Sequence, residues 1–279
     1  MKKKTTLSLL GYIVVFFSLF SCGDKKNLSK EDLLLAHVPM PVKLDSAMRH
    51  SFDTVTYKIL KKLNPKNVKS FKVSKENYLK MIDQIPTNAD RVAFSFVQFN
   101  KAKFPNKYQE LTKFDGSLYL LYYYMDKSGN NVGNKAYAML DVNNTVEISA
   151  ADYHIMENDY IQKIKPQIDP VVKGPQGNTL RVKVSKDELI AKDELLAYKN
   201  KVTAKANVKN FKITLAQWVN YETLLTSTEA NILRKKLKLY NDESVGQMTF
   251  ITDCQNAQGS DVESLSGFDL NHFCPEDCP

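Results

Sequence analysis

The sequence has few residues of the kinds that mark specialised chains, with 10 glycines, 10 prolines and 4 cysteines among its 279 residues. So little glycine and proline excludes a collagenous or low-complexity chain, and 25% charged with 43% apolar residues is typical of a globular protein. The sequence contains no glycine-rich phosphate-binding loop, no Gly-x-Ser-x-Gly motif and no paired-carboxylate motif in a recognisable context. These absences lower the expectation of an enzyme without excluding one.

Positive charge is present but is not concentrated in one place. The formal net charge is +8, and it falls by three, to +5, when the lysines at positions 2–4 are removed with the amino-terminal leader. The densest short run of lysines, within 235–238, does not predict a nucleic-acid-binding patch. We therefore expect no nucleic-acid partner.

The amino terminus has the layout of a secretory signal peptide. The lysines at positions 2–4 are followed by a mostly apolar stretch over Leu7–Phe20 and then by the small Ser21. This stretch of 14 residues is shorter than the roughly 20 residues that a membrane-spanning helix needs. We predict that residues 1–21 are a signal peptide that is removed.

The end of this segment, Leu19-Phe20-Ser21-Cys22, resembles the lipobox of bacterial lipoproteins. The resemblance implies that the Cys22 sulfur receives a diacylglycerol, that the chain is cut before it, and that the new amino group is acylated, as with palmitate. Several acyl chains would anchor the protein stably in a bilayer. Gly23 favours the outer membrane over the inner one by the sorting rules of such lipoproteins, and the membrane face stays open. The alternative is a secreted protein, or an uncleaved anchor, in which Cys22 has no role.

Five segments are predicted after the signal peptide. They are a tether and N-terminal segment at 22–43, an α+β domain at 44–165, a Pro/Gly linker at 166–176, a second α/β segment at 177–253 and a cysteine-containing tail at 254–279. The linker is predicted because three prolines and Gly174 lie close together there. The segment at 177–253 is either a second unit or part of the first domain.

Residue patterns within these segments predict the fold class. Apolar side chains three and four residues apart predict helices over 44–63 and 214–239, whereas aromatic and β-branched stretches predict strands over 91–99 and 118–125. The sequence Phe71–Ser74 predicts a short strand that ends at the cap of a helix. We therefore expect an α+β fold with a largely antiparallel sheet and packed helices.

The cysteines other than Cys22 lie near the carboxyl terminus. Cys254, Cys274 and Cys278 are in a chain expected to be exported, where a disulfide from Cys254 to one of the other two would hold the tail to the last strand. Together with His272 the three thiols could instead bind zinc tetrahedrally. A redox-active cysteine pair is the third alternative. No other cofactor is expected.

A second candidate site lies around a histidine. Asp152, His154 and Glu157 are close in sequence and could act as a general base or as weak metal ligands. No nucleophile motif accompanies them, so the alternative is a surface histidine between acids.

Tyrosines are concentrated in one predicted strand. The side chains of Tyr119, Tyr122, Tyr123 and Tyr124 could offer a stacking surface for sugars or nucleobases. The alternative is packing within the sheet, because tyrosine is common in strands.

Several stretches resemble a group of uncharacterised Bacteroidota proteins. They are Ser74–Ile85, Arg91–Phe96, Leu118–Gly129 and Cys274–Cys278. The resemblance as a whole covers about a quarter of the mature chain. The resemblance implies a helix that leads to a strand and then to a hairpin strand. It implies no activity and assigns no functional residue.

These features predict a membrane-anchored envelope lipoprotein that contacts the bilayer through acylated Cys22. We expect its body to be a non-enzymatic binding or assembly module for an envelope protein or a small-molecule ligand. The alternative is an envelope enzyme, either a hydrolase with a site near His154 or a thiol enzyme that uses the carboxyl-terminal cysteines.

Overall fold

A computed structural model describes residues 39–141, 144–172, 186–231, 245–262 and 265–268, and the backbone of 272–274. The predicted signal peptide, Cys22, most of the tether, residues 173–176 of the linker and Cys278 lie outside the described residues.

Helices come first in the described chain and recur between the strands. The α-helices are α1 (Val42–Thr54), α2 (Thr56–Leu63), α3 (Lys75–Asp83), α4 (Ala150–Asp159), α5 (Lys165–Ile168) and α6 (Lys192–Thr203). A π-helical turn (Tyr160–Ile164) joins α4 to α5, and short 3₁₀ turns cover Lys101–Lys103, Gln109–Phe114 and Tyr221–Thr223. A further helical stretch covers 227–231.

The strands form two sheets. They are β1 (Ser70–Ser74), β2 (Arg91–Gln98), β3 (Leu118–Met125), β4 (Lys135–Met139), β5 (Thr145–Ser149), β6 (Asp187–Ala191), β7 (Asn210–Gln217), β8 (Met248–Gln255) and β9 (His272–Cys274). The smaller sheet has the order β1-β7-β8 and the larger one β5-β4-β3-β2-β6-β9. Every pairing is antiparallel, which confirms the predicted α+β class.

Both sheets combine strands from the two predicted segments, 44–165 and 177–253. β1 pairs with β7 in the smaller sheet, and β2 pairs with β6 in the larger one. Neither sheet is therefore formed by one of these segments alone. Part of the predicted linker between them is helical, because α5 includes residues 166–168.

Three helices begin directly where a strand ends, without an intervening loop. The last strand residues, Ser74, Ser149 and Ala191, have nearly the same extended backbone, with φ of −64°, −63° and −63°. The hydroxyls of Ser74 and Ser149 accept hydrogen bonds from the N–H groups of Asn77 and Asp152, each at 3.2 Å. A serine that ends a strand therefore also caps the helix, as Phe71–Ser74 predicts.

The helical pattern over 44–63 is interrupted at Val55, which separates α1 from α2. The predicted helix over 214–239 is wrong at its beginning, because residues 214–217 belong to β7. β7 is paired on both sides, and its last five side chains, from Ile213 to Gln217, are all buried at 9% exposure or less. Burial in a central strand overrides the helical preference of Leu, Ala and Gln there.

Aromatic rings connect the elements of the core. Phe94 of β2 lies 4.9 Å from Phe250 of β8, so the two sheets contact each other directly. Tyr78 of α3 stacks on Phe211 of β7 at 4.1 Å. These contacts fix α3 and the two sheets relative to one another and make a rigid support for the surface clefts.

Candidate functional site

A cleft of about 380 Å³ opens beside helix α4 on the larger sheet. We call it the α4 cleft. Its wall is formed by α4, by β3, by the loop that joins β3 to β4, and by the residue that precedes β6. The polar side chains that line it are Tyr123, Asn130, Asn131, Asn134, Tyr153, His154, Glu157 and Lys186.

Helix α4 directs three of these side chains to one side. Tyr153, His154 and Glu157 are spaced by one, three and four residues, so they lie on one face of a helix. Ser149 caps the helix and thereby fixes where its first turn begins. The placement of these three side chains in the cleft therefore follows from two local features of the sequence, the serine cap and the helical spacing.

Glu157 lies at the centre of the hydrogen bonds in the α4 cleft. Its Oε1 is 2.8 Å from the hydroxyl of Tyr153 and 2.9 Å from Nζ of Lys186, and its Oε2 is 3.3 Å from Nδ1 of His154. Burial alone would raise the pKa of Glu157, but the hydrogen bonds from Lys186, Tyr153 and His154 lower it below its usual value. Glu157 is therefore a fixed anion at neutral pH.

A buried polar layer lies beneath these groups. The hydroxyl of Tyr153 is 3.0 Å from that of Ser95 on β2, and the hydroxyl of Tyr123 donates to Asp187 on β6 at 3.4 Å. Burial raises the pKa of Asp187 to about 6, although Lys186 and the hydroxyls of Ser95 and Tyr123 act in the opposite direction. The polar network therefore extends from the exposed His154 down to the sheet.

The loop between β3 and β4 supplies amide groups to the cleft. Nδ2 of Asn131 donates to the carbonyl of Lys135 at 3.1 Å. Its Oδ1 is buried and has no hydrogen-bond partner among the residues that the structure describes. A buried acceptor without a partner costs free energy, which a ligand donor would recover.

Asp152 does not line the α4 cleft with His154 and Glu157. It lies two residues before His154 in the helix, and side chains with that spacing point to different faces. Its carboxylate accepts from Nζ of Lys107 at 2.8 Å and from the hydroxyl of Tyr108 at 2.6 Å. Although burial acts to raise the pKa of Asp152, these hydrogen bonds lower it. Asp152 thus ties the loop before β3 to α4 and is separate from the cleft.

The tyrosines of β3 are packed in the core. Tyr119, Tyr122, Tyr123 and Tyr124 are each at most 6% exposed, which supports packing within the sheet and not a stacking platform. Tyr123, although 6% exposed, also lines the α4 cleft.

The cysteine candidates are only partly described. Cys254 in β8 is a buried free thiol, 3.2 Å from the hydroxyl of Tyr198. Burial raises the pKa of Cys254 to about 12, so the thiol stays protonated and is a poor nucleophile and metal ligand. The backbone of Cys274 pairs with Asp187 across β9 and β6, but the side chains of 272–274 are not described. The disulfide, zinc and redox alternatives therefore stay predictions.

Lys186, Asp187 and Ser95 belong to the site but were not expected from the sequence. Each is far along the chain from α4 and is brought there by the pairing of β2 with β6. The asparagines at 130, 131 and 134 are a signal that could have been used, since amides that cluster in a hairpin loop can form a binding rim.

No family model matches the chain, and searches of curated proteins and of solved structures found no similar protein. In the part of the chain that the structure describes, no helix is long and apolar enough to cross a membrane. The same residues include no group of three or more histidine, cysteine, aspartate or glutamate side chains that could hold a metal ion.

Proposed function

We propose that this protein is an envelope lipoprotein, held at the bilayer through acylated Cys22, whose folded body binds a small polar molecule in the α4 cleft. The observation that carries the binding proposal is the convergence of His154, Glu157 and Lys186 on a cleft of about 380 Å³. That volume is within the range of about 300–1,000 Å³ that small-molecule sites occupy.

Binding without chemistry is favoured because the charged groups of the cleft neutralise one another. Glu157 accepts hydrogen bonds from Tyr153 and Lys186, and its pKa is lowered, so it is not suited to take up protons near neutral pH. The amide of Asn131 and the phenol of Tyr123 add neutral groups. A neutral or zwitterionic ligand with several hydroxyl, amino or carboxyl groups would match this mixture.

A thermal-shift screen of the purified protein against monosaccharides, amino acids and dicarboxylates tests the binding proposal. A ligand present at about 100 times its Kd should raise the free energy of unfolding by about 2.7 kcal/mol. The substitution Glu157→Gln should abolish the shift, whereas Asp152→Asn, on the same helix but outside the cleft, should leave it in place. A shift that survives Glu157→Gln would place the ligand elsewhere.

The lipid anchor is supported by the sequence Leu19-Phe20-Ser21-Cys22. Intact-mass spectrometry of the protein purified from membranes should show the loss of residues 1–21 and the added mass of a diacylglycerol and an acyl chain. The substitution Cys22→Ser should remove the added mass. A wild-type protein of unmodified mass would overturn the anchor.

A hydrolase is the second candidate, and the contact between His154 and Glu157 favours it. A carboxylate 3.3 Å from Nδ1 orients an imidazole as a general base, and the His154 side chain is 69% exposed and open to a substrate. Turnover of p-nitrophenyl acetate that disappears in His154→Gln would support this function. Equal turnover by the two proteins would reject it. The buried thiol of Cys254 does not support a thiol enzyme.

A further inference from the structure

A long stretch of the chain carries only positive charge. Residues 54–75, which run from the end of α1 through α2 and β1, contain no aspartate or glutamate. The lysines of this stretch are Lys58, Lys61, Lys62, Lys66, Lys69, Lys72 and Lys75, and all but Lys75 are exposed. Lys69 pairs with Asp53 outside the stretch, at 2.6 Å. The surface formed by this stretch is therefore strongly positive.

A second cleft, of about 230 Å³, lies within this surface. We call it the β1 cleft because it follows the outer edge of β1, opposite residues 139–141 at the end of β4. Lys66, Lys72 and Lys113 line it together with the aromatic rings of Phe71, Phe114 and Tyr119.

The aromatic side of the β1 cleft is rigid. Tyr119 is 2% exposed and Phe71 is 7% exposed, and their rings meet edge to face at 5.2 Å. Phe114, which is half-buried, lies 4.3 Å from Tyr119. The ring that an apolar or aromatic group would contact is therefore Phe114, and the buried rings of Tyr119 and Phe71 hold it in place without a prior rearrangement.

The edge of β1 adds backbone groups to the cleft. The N–H of Leu215 donates to the carbonyl of Lys69, and the N–H of Lys75 donates to that of Lys209, so the odd-numbered residues of β1 face β7. The N–H groups of Ser70 and Lys72 therefore point away from β7, toward the cleft. Among the described residues neither has a backbone partner on that side.

Positive charge at the cleft exceeds negative charge. Lys113 lies 3.2 Å from Asp141, but Lys66 and Lys72 form no ion pair with any described residue, so three lysines and one aspartate leave a net charge of +2. In addition, Lys72 lies directly opposite Lys212 of β7. Like charges in that position destabilise a sheet, which an anion bound nearby would relieve.

We propose that the β1 cleft binds an organic phosphate. The lysine ammonium groups and the outward N–H groups of β1 hold the phosphate, and the aromatic side holds the apolar or aromatic body of the same molecule. The headgroup region of an anionic phospholipid and a free aryl phosphate share this chemistry. The proposal is independent of the function proposed for the α4 cleft.

Calorimetric titration of the purified full chain tests the proposal with phenyl phosphate, inorganic phosphate and soluble dihexanoyl phosphatidylglycerol. Phenyl phosphate should bind at least about tenfold more tightly than inorganic phosphate, because only the first reaches the aromatic side. Displacement of bound phenyl phosphate by dihexanoyl phosphatidylglycerol, but not by dihexanoyl phosphatidylcholine, identifies a lipid as the source of the phosphate. Binding of phenyl phosphate without that competition supports a soluble ligand. The absence of binding by both phenyl phosphate and phosphatidylglycerol overturns the proposal.

Two matched double variants separate the cleft from general positive charge. Lys66→Gln/Lys72→Gln should weaken phenyl phosphate about tenfold or more. Lys58→Gln/Lys62→Gln removes the same charge from exposed positions of α2 outside the cleft and should weaken it less than about twofold. Equal losses in the two variants would overturn the proposal.

A third variant, Phe114→Leu, tests the aromatic side at a half-buried position where folding should be preserved. It should weaken phenyl phosphate and leave inorganic phosphate unchanged. An unchanged affinity for phenyl phosphate would count against the proposal as well.

Discussion

In the α4 cleft each charged side chain has an opposite charge within 4 Å, whereas in the β1 cleft Lys66 and Lys72 have no such partner among the described residues. The first arrangement comes from the spacing of His154 and Glu157 on one helix and from the pairing of β6 with β2. The second comes from a stretch of sequence without acids. We infer that the α4 cleft selects ligands by hydrogen bonds and that the β1 cleft selects them by charge, so only binding to the β1 cleft should depend strongly on salt.

The clefts also differ in what supports them, since aromatic rings underlie the β1 cleft and polar groups underlie the α4 cleft. Tyr119→Ala should therefore have the largest effect on stability. It removes a buried ring and the hydrogen bond from its hydroxyl to the carbonyl of Met139, at 2.6 Å. We expect a loss of about 3–5 kcal/mol in the free energy of unfolding, measured by urea denaturation. The control Tyr119→Phe keeps the ring and should lose only about 1 kcal/mol. Similar losses in the two variants would show that the hydroxyl, not the ring, supports the β1 cleft.

The polar support of the α4 cleft should make stability depend on pH. Because the pKa of Asp187 is raised to about 6 in the folded protein, against about 3.9 in an unfolded chain, the folded state binds its proton more tightly. The contribution of Asp187 to the free energy of unfolding is fully present below about pH 4 and is lost as the pH rises through 6. Asp187→Asn, which cannot ionise, should be more stable than the wild type by up to about 3 kcal/mol at pH 7 and equal to it at pH 4.

Denaturation of both proteins between pH 4 and pH 7 measures this difference. A difference that does not change with pH would mean that Asp187 has the same pKa in the folded and unfolded states.

How much of the fold and of the two clefts the sequence predicts depends on how far apart the contacting residues are along the chain. The capping role of Ser74 and the strands predicted over 91–99 and 118–125 follow from local patterns, and the structure has the cap and strands at 91–98 and 118–125. The contact of His154 with Glu157 follows from their spacing of three residues, whereas Asp152 lies apart from them. Local patterns are informative because the interactions that produce them span only a few residues.

Contacts between distant parts of the chain could not be predicted in this way. Lys186 and Asp187 reach the α4 cleft only because β6 pairs with β2. Local patterns predict a helix from residue 214, although β7 continues to Gln217, because the partners of this strand, β1 and β8, lie far away in the sequence. Local patterns do not predict the β1 cleft either, since Lys113 and Tyr119 come from another part of the chain than Lys66 and Lys72.

The hydroxyl of Tyr153 tests whether the polar layer under the α4 cleft is cooperative. Tyr153→Phe removes the hydrogen bonds to Glu157 and Ser95 and leaves both buried partners less satisfied. We expect a loss of about 2 kcal/mol in the free energy of unfolding. Ser95→Ala should cost less, and the double variant should cost less than the sum of the two because the groups share one network. Additive losses in a double-mutant cycle would show that the network is only a set of independent contacts.

The smallest expected effect concerns the unbalanced charge of the β1 cleft. Lys72 lies opposite Lys212, so Lys72→Gln removes a repulsion between neighbouring strands and should raise the Tm slightly, by no more than about 2 °C. The increase should disappear in high salt, because salt already screens exposed charges. Lys58→Gln is the control, because Lys58 is exposed on helix α2 and faces no lysine across a strand pair, so its removal should leave the Tm unchanged. If Lys72→Gln lowered the Tm instead, Lys72 would stabilise the folded protein. The positive charge of the β1 cleft would then be compensated and would no longer favour an anion as its ligand.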